Sequence, residues 1–404
     1  MSKLISTNLK WLKAQWHARG TALRRRLALA FGRTFDPYPA VPAGLGLSPS
    51  LRHRPRGPGA EVALDWRRAA INDPLVWQKQ VRAKLIDLSG YGRFGGPPGI
   101  RHLQNLPNRD GLRHRSLYLK VRDGLDLPIR MVWHASIEDS KPVAAMICLQ
   151  GTNSGMHLSW GEALMPADPI KILNDADFAR QAARRGYLAI CLEQACFGER
   201  REQLLSPVSQ TPCIDAANHA LLLGRSLLGE RASDVTSVVN WLSEGDTGLQ
   251  VDPNRIYVMG SSAGGTTALF AGALDPRIAG VLATGCIGFM RDTILARHDP
   301  EGQNTVPGIL RWFELDAVVA LCAPRPFVTV SGDCDHIWPF DGAEAVVAAA
   351  QPVYERLESG DRLVVSKAKG GHRFYPNIAW PALARAMECA GHDVPRLMDK
   401  PISD

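Results

Sequence analysis

The chain has 404 residues, enough for a large buried core, and its 45% hydrophobic and 22% charged content is ordinary for a globular protein. No apolar run approaches the roughly 18 residues that a membrane-spanning helix requires. The net charge of +7 comes from one end, because residues 1–35 contain eight Lys or Arg and no acid. The near-neutral remainder excludes a basic, nucleic-acid-binding body.

Residues 1–35 are predicted to form a basic amphipathic helix, because Ile5, Leu9, Leu12 and Trp16 recur at helical spacing. The first two interpretations are packing on the body or on a second copy as a homo-oligomer, and contact with a membrane surface. A targeting peptide is the third, although no signal-peptide apolar region follows the arginines.

Residues 36–60 are rich in Pro, Gly and Arg and are predicted to be a linker or an extended wrap. A helical pattern returns over residues 65–88. These segments make up a predicted N-terminal region, residues 1–110, that packs on a catalytic domain of residues 111–404.

From residue 112 the pattern changes to alternation, and two apolar runs on either side of Asp123-Gly124 predict a hairpin. Strands and helices then alternate, which predicts an α/β fold with a mostly parallel sheet and helices on both faces. The predicted strands are 143–149, 187–192, a strand ending near 260, 278–284, 326–330 and 363–367. The predicted helices are 170–185, 216–243, one beginning near 266, 342–358 and 378–390.

A strand, a sharp turn and a helix meet at Gly260-Ser261-Ser262-Ala263-Gly264. In frame this is Gly-x-Ser-x-Gly, the nucleophile elbow of α/β-hydrolases, with Ser262 as the predicted nucleophile. Gly260 and Gly264 lack Cβ, so strand and helix can pass close together. Ser261 is out of frame because Met259 stands two residues before it. A chance match in a Gly- and Ser-rich loop is the alternative.

A serine nucleophile needs a base and an acid to orient it, and in this fold class they follow the serine in the order acid, then histidine. The predicted acid is Asp335, which follows the strand ending at Gly332, with Asp333 as its competitor. The predicted base is His372, after the last strand and two glycines; a surface loop histidine is the alternative.

The oxyanion hole is predicted from the backbone N–H groups of Ala263 and Thr152, with Gly151 allowing close approach to the substrate oxygen. Gln150 or Asn153 are alternatives for the second donor. Five residues after strand ends are predicted to line the substrate pocket, with packing roles as the alternative: Asn153, His157, Trp160, Phe289 and Trp338.

The chain resembles the α/β-hydrolase superfamily, and within it the dienelactone hydrolase-like and acetyl xylan esterase-like esterases. The resemblance covers roughly residues 77–387 and is carried by segments 150–155, 185–200, 260–265, 306–313 and 322–327. It implies the same three catalytic residues. The chain departs from the family pattern at Glu193, where Asp is frequent, and at Gln150, where His is usual.

These patterns predict a serine esterase acting on a small-molecule ester, with a small acyl group, through a Ser-His-Asp triad. A thioesterase, acyltransferase or peptidase would use the same triad, and a non-catalytic scaffold is the alternative of a different class. No metal-ligand spacing or phosphate-binding loop is present, so no cofactor or metal is predicted. The eight cysteines lack a Cys-x-x-Cys pair and are predicted to be free thiols of a cytoplasmic protein.

Overall fold

The computed structural model describes residues 62–67, 73–92, 98–122, 124–138, 141–204, 212–244, 247–296 and 302–397, together with residue 27 and short stretches between 42 and 53. The chain divides into two compact units, residues 1–54 and 55–404. The predicted basic helix and most of the predicted linker lie outside the described residues, so their proposed contacts stay predictions. In the described ranges, no helix combines the length and apolarity needed to cross a membrane.

Within the described part of the second unit, nine strands form one sheet in the order β1-β2-β3-β5-β4-β6-β7-β8-β9. The first three strands and the β3–β5 pair are antiparallel, and every later pair is parallel. The strands are β1 (Gly99–Arg109), β2 (Leu112–Arg122), β3 (Leu125–His134), β4 (Val143–Leu149), β5 (Leu188–Leu192), β6 (Val251–Ser261), β7 (Gly280–Thr284), β8 (Phe327–Gly332) and β9 (Leu363–Ala368).

The helices alternate with the parallel strands, as the sequence predicts, so the α/β-hydrolase fold class is confirmed. They are α1 (Pro74–Ser89), α2 (Asp168–Leu173), α3 (Phe178–Ala183), α4 (Pro212–Leu222), α5 (Leu227–Ser243), α6 (Ala263–Leu274), α7 (Leu315–Ala320), α8 (Phe340–Arg356) and α9 (Pro376–Cys389).

The central strands bury both of their faces. On β6, Ile256 and Val258 join one apolar cluster, whereas Tyr257 and Met259 join the cluster on the opposite face. Successive side chains of a strand point to opposite faces, so each face needs its own layer of helices. Helices α5, α6 and α8 cover the first face, and α3 and α9 cover the second. The carboxyl ends of the parallel strands remain available for a site.

Several elements differ from the sequence prediction, among them the helix predicted over 170–185, which is two short helices, α2 and α3. Strand β1 is largely exposed and has no apolar alternation, so only its backbone pairing with β2 identifies it. The domain boundary predicted between residues 110 and 111 therefore falls inside the β1–β2 hairpin. The helix predicted over 216–243 is two helices, because Gly224 adopts φ of 67° and Ser226 caps α5 by accepting the Gly229 N–H.

Candidate active site

The turn between β6 and α6 holds Ser262 in a conformation that is rare for a residue with a side chain. Its φ is 55° and ψ is −126°, and its N–H donates to Thr284 O at 2.9 Å. A Cβ on Gly260 would lie 2.7 Å from Gly265 N, and one on Gly264 would lie 2.5 Å from Gln150 O. Both positions therefore require glycine for the strand and helix to approach so closely.

An acid and a histidine meet at the ends of the next two strands. Asp335 follows β8 and His372 follows β9, and His372 Nδ1 lies 2.8 Å from Asp335 Oδ2. The other oxygen, Oδ1, accepts the N–H groups of Ile337 and Trp338 at 2.8 and 2.9 Å. Only 4% of Asp335 is exposed.

The pKa of Asp335 is lowered from its ordinary value. Burial acts to raise it, but the His372 hydrogen bond and the two backbone N–H groups favour the ionised form and prevail. The carboxylate therefore accepts from the imidazole, and the proton of neutral His372 lies on Nδ1.

The competing acid has a different partner. Asp333 is exposed and accepts the N–H of Gly370 at 2.9 Å. That bond ties the loop after β8 to the loop that carries His372. The structure thus places Asp335, and not Asp333, against the histidine.

The loop after β4 packs directly on the elbow. A Cβ on Gly151 would lie 3.0 Å from Ser261 O and 3.2 Å from Ser262 Cβ. The Gln150 side chain turns away from the elbow, since its amide nitrogen donates to Ser159 Oγ and to Ala176 O. Its amide oxygen accepts from Asn153 Nδ2 at 3.2 Å, so the two side chains brace one loop.

A cavity of about 700 Å³ opens beside the elbow. Its described lining includes Ser262, Ala263, His372, Gly151 and Thr152, together with the predicted pocket residues Asn153 and Trp338. The cavity thus brings together every residue of the predicted nucleophile, base and oxyanion hole. Asp335 lies behind His372, outside the lining.

Three predicted pocket residues are corrected, because none lines the cavity. His157 is buried and its Nε2 lies 2.8 Å from Asp168 Oδ2. Trp160 donates through Nε1 to Glu162 at 2.6 Å, and Phe289 packs against the core. The helical turn Met156–Trp160 carries the first two away from the cavity, so they pack the loop instead.

The cavity also contains residues that the sequence analysis did not single out. Six of them are polar and come from distant elements, namely Lys171, Asn174, Gln303, Asn304, His336 and Arg373, and apolar residues such as Phe178 and Phe374 accompany them. Arg373 directly follows His372 and could have been inferred from that position. His336 likewise directly follows Asp335, whereas the other four have no local motif that marks them.

Glu193, where the family pattern usually has Asp, follows β5 and is buried outside the cavity lining. Its carboxylate accepts the N–H of Met156 at 2.9 Å and of Glu199 at 3.3 Å. Burial raises the pKa of Glu193 to about 7, against the lowering effect of these bonds. Across the described ranges, no group of acidic, His or Cys side chains could hold a metal ion.

The fold and the site together define an α/β-hydrolase. Residues 61–350 match the sequence profile of the Abhydrolase family, and the chain belongs to that family. Among curated proteins it is similar to the candidate hydrolase YtaP of Bacillus subtilis, with 24% identity over 203 residues. That match spans 50% of this chain and 64% of the relative, which is less than two thirds of its length.

Solved structures share the same fold. A candidate acetyl xylan esterase from Bacteroides fragilis has a TM-score of 0.59 and 19% identity over 80% of each chain. A glucuronoyl esterase from Solibacter usitatus has a TM-score of 0.59 and 16% identity, covering 83% of this chain and 99% of that one.

Proposed function

We propose that this protein is a serine hydrolase that cleaves carboxylic esters, with Ser262 as nucleophile, His372 as base and Asp335 as the acid that orients it. The observation that carries the proposal is the 2.8 Å contact of His372 Nδ1 with buried Asp335, beside a cavity that Ser262 lines from a strained turn. The combination of φ 55° and ψ −126° at Ser262 is a strained backbone conformation of the kind that clusters at functional sites.

The chemistry follows from the protonation states. Because Asp335 accepts from Nδ1–H, the Nε2 of neutral His372 has a lone pair, and it takes the Ser262 hydroxyl proton as Oγ attacks the ester carbonyl. The N–H groups of Ala263 and Thr152 stabilise the oxyanion that forms. The intermediate collapses, His372 gives its proton to the departing alkoxide, and an alcohol leaves.

Water completes the cycle by attacking the acyl-enzyme, with His372 again acting first as base and then as acid. His372 removes a proton from water, which attacks the acyl–Ser262 carbonyl, and the second tetrahedral intermediate releases the carboxylic acid and restores the Ser262 hydroxyl. The imidazolium formed in each half-reaction is stabilised by ionised Asp335, whose lowered pKa keeps it charged.

The substrate is an ester with a small acyl group and a polar alcohol. Support for a polar alcohol comes from polar side chains in the lining, which include Lys171, Asn174 and Asn304. The name of one fold relative, an acetyl xylan esterase, refers to an ester with a small acyl group.

Hydrolysis of p-nitrophenyl esters of increasing acyl length, by wild type and Ser262→Ala, tests the proposal. We expect turnover that falls with acyl length and is abolished in the variant. A fluorophosphonate probe should label wild type and Ser261→Ala but not Ser262→Ala. Undiminished hydrolysis in a folded Ser262→Ala protein would refute the assignment, and transfer of the acyl group to an added alcohol in preference to water would indicate a transferase.

A further inference from the structure

Gln303 joins the active-site cavity to the protein interior. It precedes α7, is only 5% exposed and lines the cavity wall. Its amide oxygen accepts from Arg231 at 2.7 Å, and its amide nitrogen donates to Thr152 Oγ1 at 2.8 Å. These two bonds connect Arg231 through Gln303 to Thr152, and Thr152 is exposed at the cavity end of this connection.

The direction of the Gln303 amide is set by Arg231. A guanidinium has donors and no acceptor, so Gln303 must turn its oxygen toward Arg231. The amide nitrogen then faces Thr152, whose hydroxyl oxygen acts as the acceptor. The nitrogen and oxygen of a glutamine amide are similar in size, but here Arg231 determines which of the two atoms faces it.

Arg231 is held in place by neutral groups. It lies on α5 with 1% of its surface exposed, donates to Ala195 O at 2.7 Å and contacts Cys213 Sγ at 3.4 Å. Its guanidinium also lies 4.7 Å from the centre of the Phe197 ring. Among the described residues no carboxylate pairs with it. The cation is therefore anchored to the loop after β5, and its geometry does not depend on a mobile acidic side chain.

We propose that Arg231 and Gln303 are positioning residues that hold Thr152, and with it the second oxyanion N–H, in the productive geometry. This inference rests on the proposed function, because it assigns a purpose to Thr152 in ester hydrolysis. The bond from Gln303 fixes the Thr152 side chain beside Gly151, the residue that packs against Ser261 and Ser262 of the elbow. The buried pair connects α5, the segment before α7 and the loop after β4 at the site where the oxyanion forms.

If Arg231 and Gln303 position Thr152, disturbing them should weaken stabilisation of the transition state and leave binding of the ester substrate nearly unchanged. The ester carbonyl becomes an oxyanion only as Ser262 attacks, so a misplaced Thr152 N–H should lower kcat and leave KM nearly unchanged. Thr152→Val keeps the branched shape but removes the hydroxyl, and Gln303→Met keeps the side-chain length but removes the amide that bonds Thr152. We expect each to lower kcat on p-nitrophenyl acetate about 10- to 100-fold.

A double-mutant cycle and a conservative variant separate positioning from general damage. Thr152→Val combined with Gln303→Met should be no worse than Gln303→Met alone, because the bond between the two side chains is already lost in each single variant. Thr152→Ser retains the hydroxyl and should restore kcat to within a few-fold of wild type. Gln351→Leu, a glutamine on α8 that bonds Gly360 O, is the matched control and should behave as wild type.

The outcomes distinguish this inference from the proposed function. The rate of fluorophosphonate labelling of Ser262 serves as a second readout, since the phosphonyl oxygen also needs the oxyanion donors. Unlabelled wild type would contradict the proposed function and this inference with it. Three results would overturn only the positioning role while Ser262-dependent hydrolysis persists: wild-type kcat in both single variants, additive losses in the double variant, or a change in KM alone.

Discussion

Replacing Gly264 with alanine should displace the elbow and impair catalysis and stability together. A Cβ at this position would lie 2.5 Å from Gln150 O and closer still to Leu149 O, whereas ordinary contact begins near 3.4 Å. Both obstacles are backbone carbonyls, which cannot rotate aside like the end of a flexible side chain. The elbow must therefore move about 1 Å away from the loop after β4.

That movement has a calculable effect on rate and stability. It separates the N–H of Ala263 from that of Thr152, and a misplacement of about 1 Å lowers turnover about 100-fold. Overpacking of a dense site also costs about 1–3 kcal/mol of folding free energy. We expect Gly264→Ala to show both effects in ester hydrolysis and urea unfolding.

Gly99→Ala is the matched control for this substitution. Gly99 begins β1, has no atom within 4 Å of a built Cβ and does not adopt a positive φ. Its variant should keep wild-type kcat and unfolding free energy. The reasoning would be refuted if Gly264→Ala were as active and stable as wild type, or if the two variants were equally impaired.

Three further predictions follow from the site and its surroundings. Asp335→Asn should lower kcat about 10⁴-fold by disturbing the His372 tautomer, whereas Asp333→Asn should change it less than twofold; steady-state kinetics of the two variants compares them directly. Glu193, with its pKa raised to about 7, holds a proton in the folded state that the unfolded chain releases near pH 4.5. Its contribution to stability is therefore largest below pH 4.5 and falls by about 3 kcal/mol as the pH rises to 7, a slope that urea titrations should find missing in Glu193→Gln. A maleimide should label only Cys334 and Cys389 in the native protein, because the other six cysteines are buried; mass spectrometry that finds more would contradict the described core.

The turn at Ser262 and the meeting of Asp335 with His372 were predictable because each residue has a local signal. An apolar strand that ends in Gly-x-Ser-x-Gly predicts the turn at Ser262, and Asp335 and His372 each follow a predicted strand. The choice between Asp335 and Asp333 could be predicted only as a preference. The structure places Asp335 at 2.8 Å from the imidazole and ties Asp333 to a backbone N–H instead.

The same local reasoning could not describe the cavity. His157 and Trp160 follow the predicted oxyanion loop closely in sequence, yet a single helical turn carries both away from the cavity. Lys171 and Gln303 are far from the elbow in sequence and line the cavity beside it.

The sequence by itself determined the α/β order of elements, the strained turn and the order of serine, acid and histidine, because periodicity and turn chemistry act over a few neighbouring residues. Only the tertiary structure decided which loops meet at the strand ends, that β1 joins the sheet through backbone pairing, and that Arg231 reaches Thr152 through Gln303. These contacts join segments that are distant in the chain, and their geometry arises from packing the whole sheet.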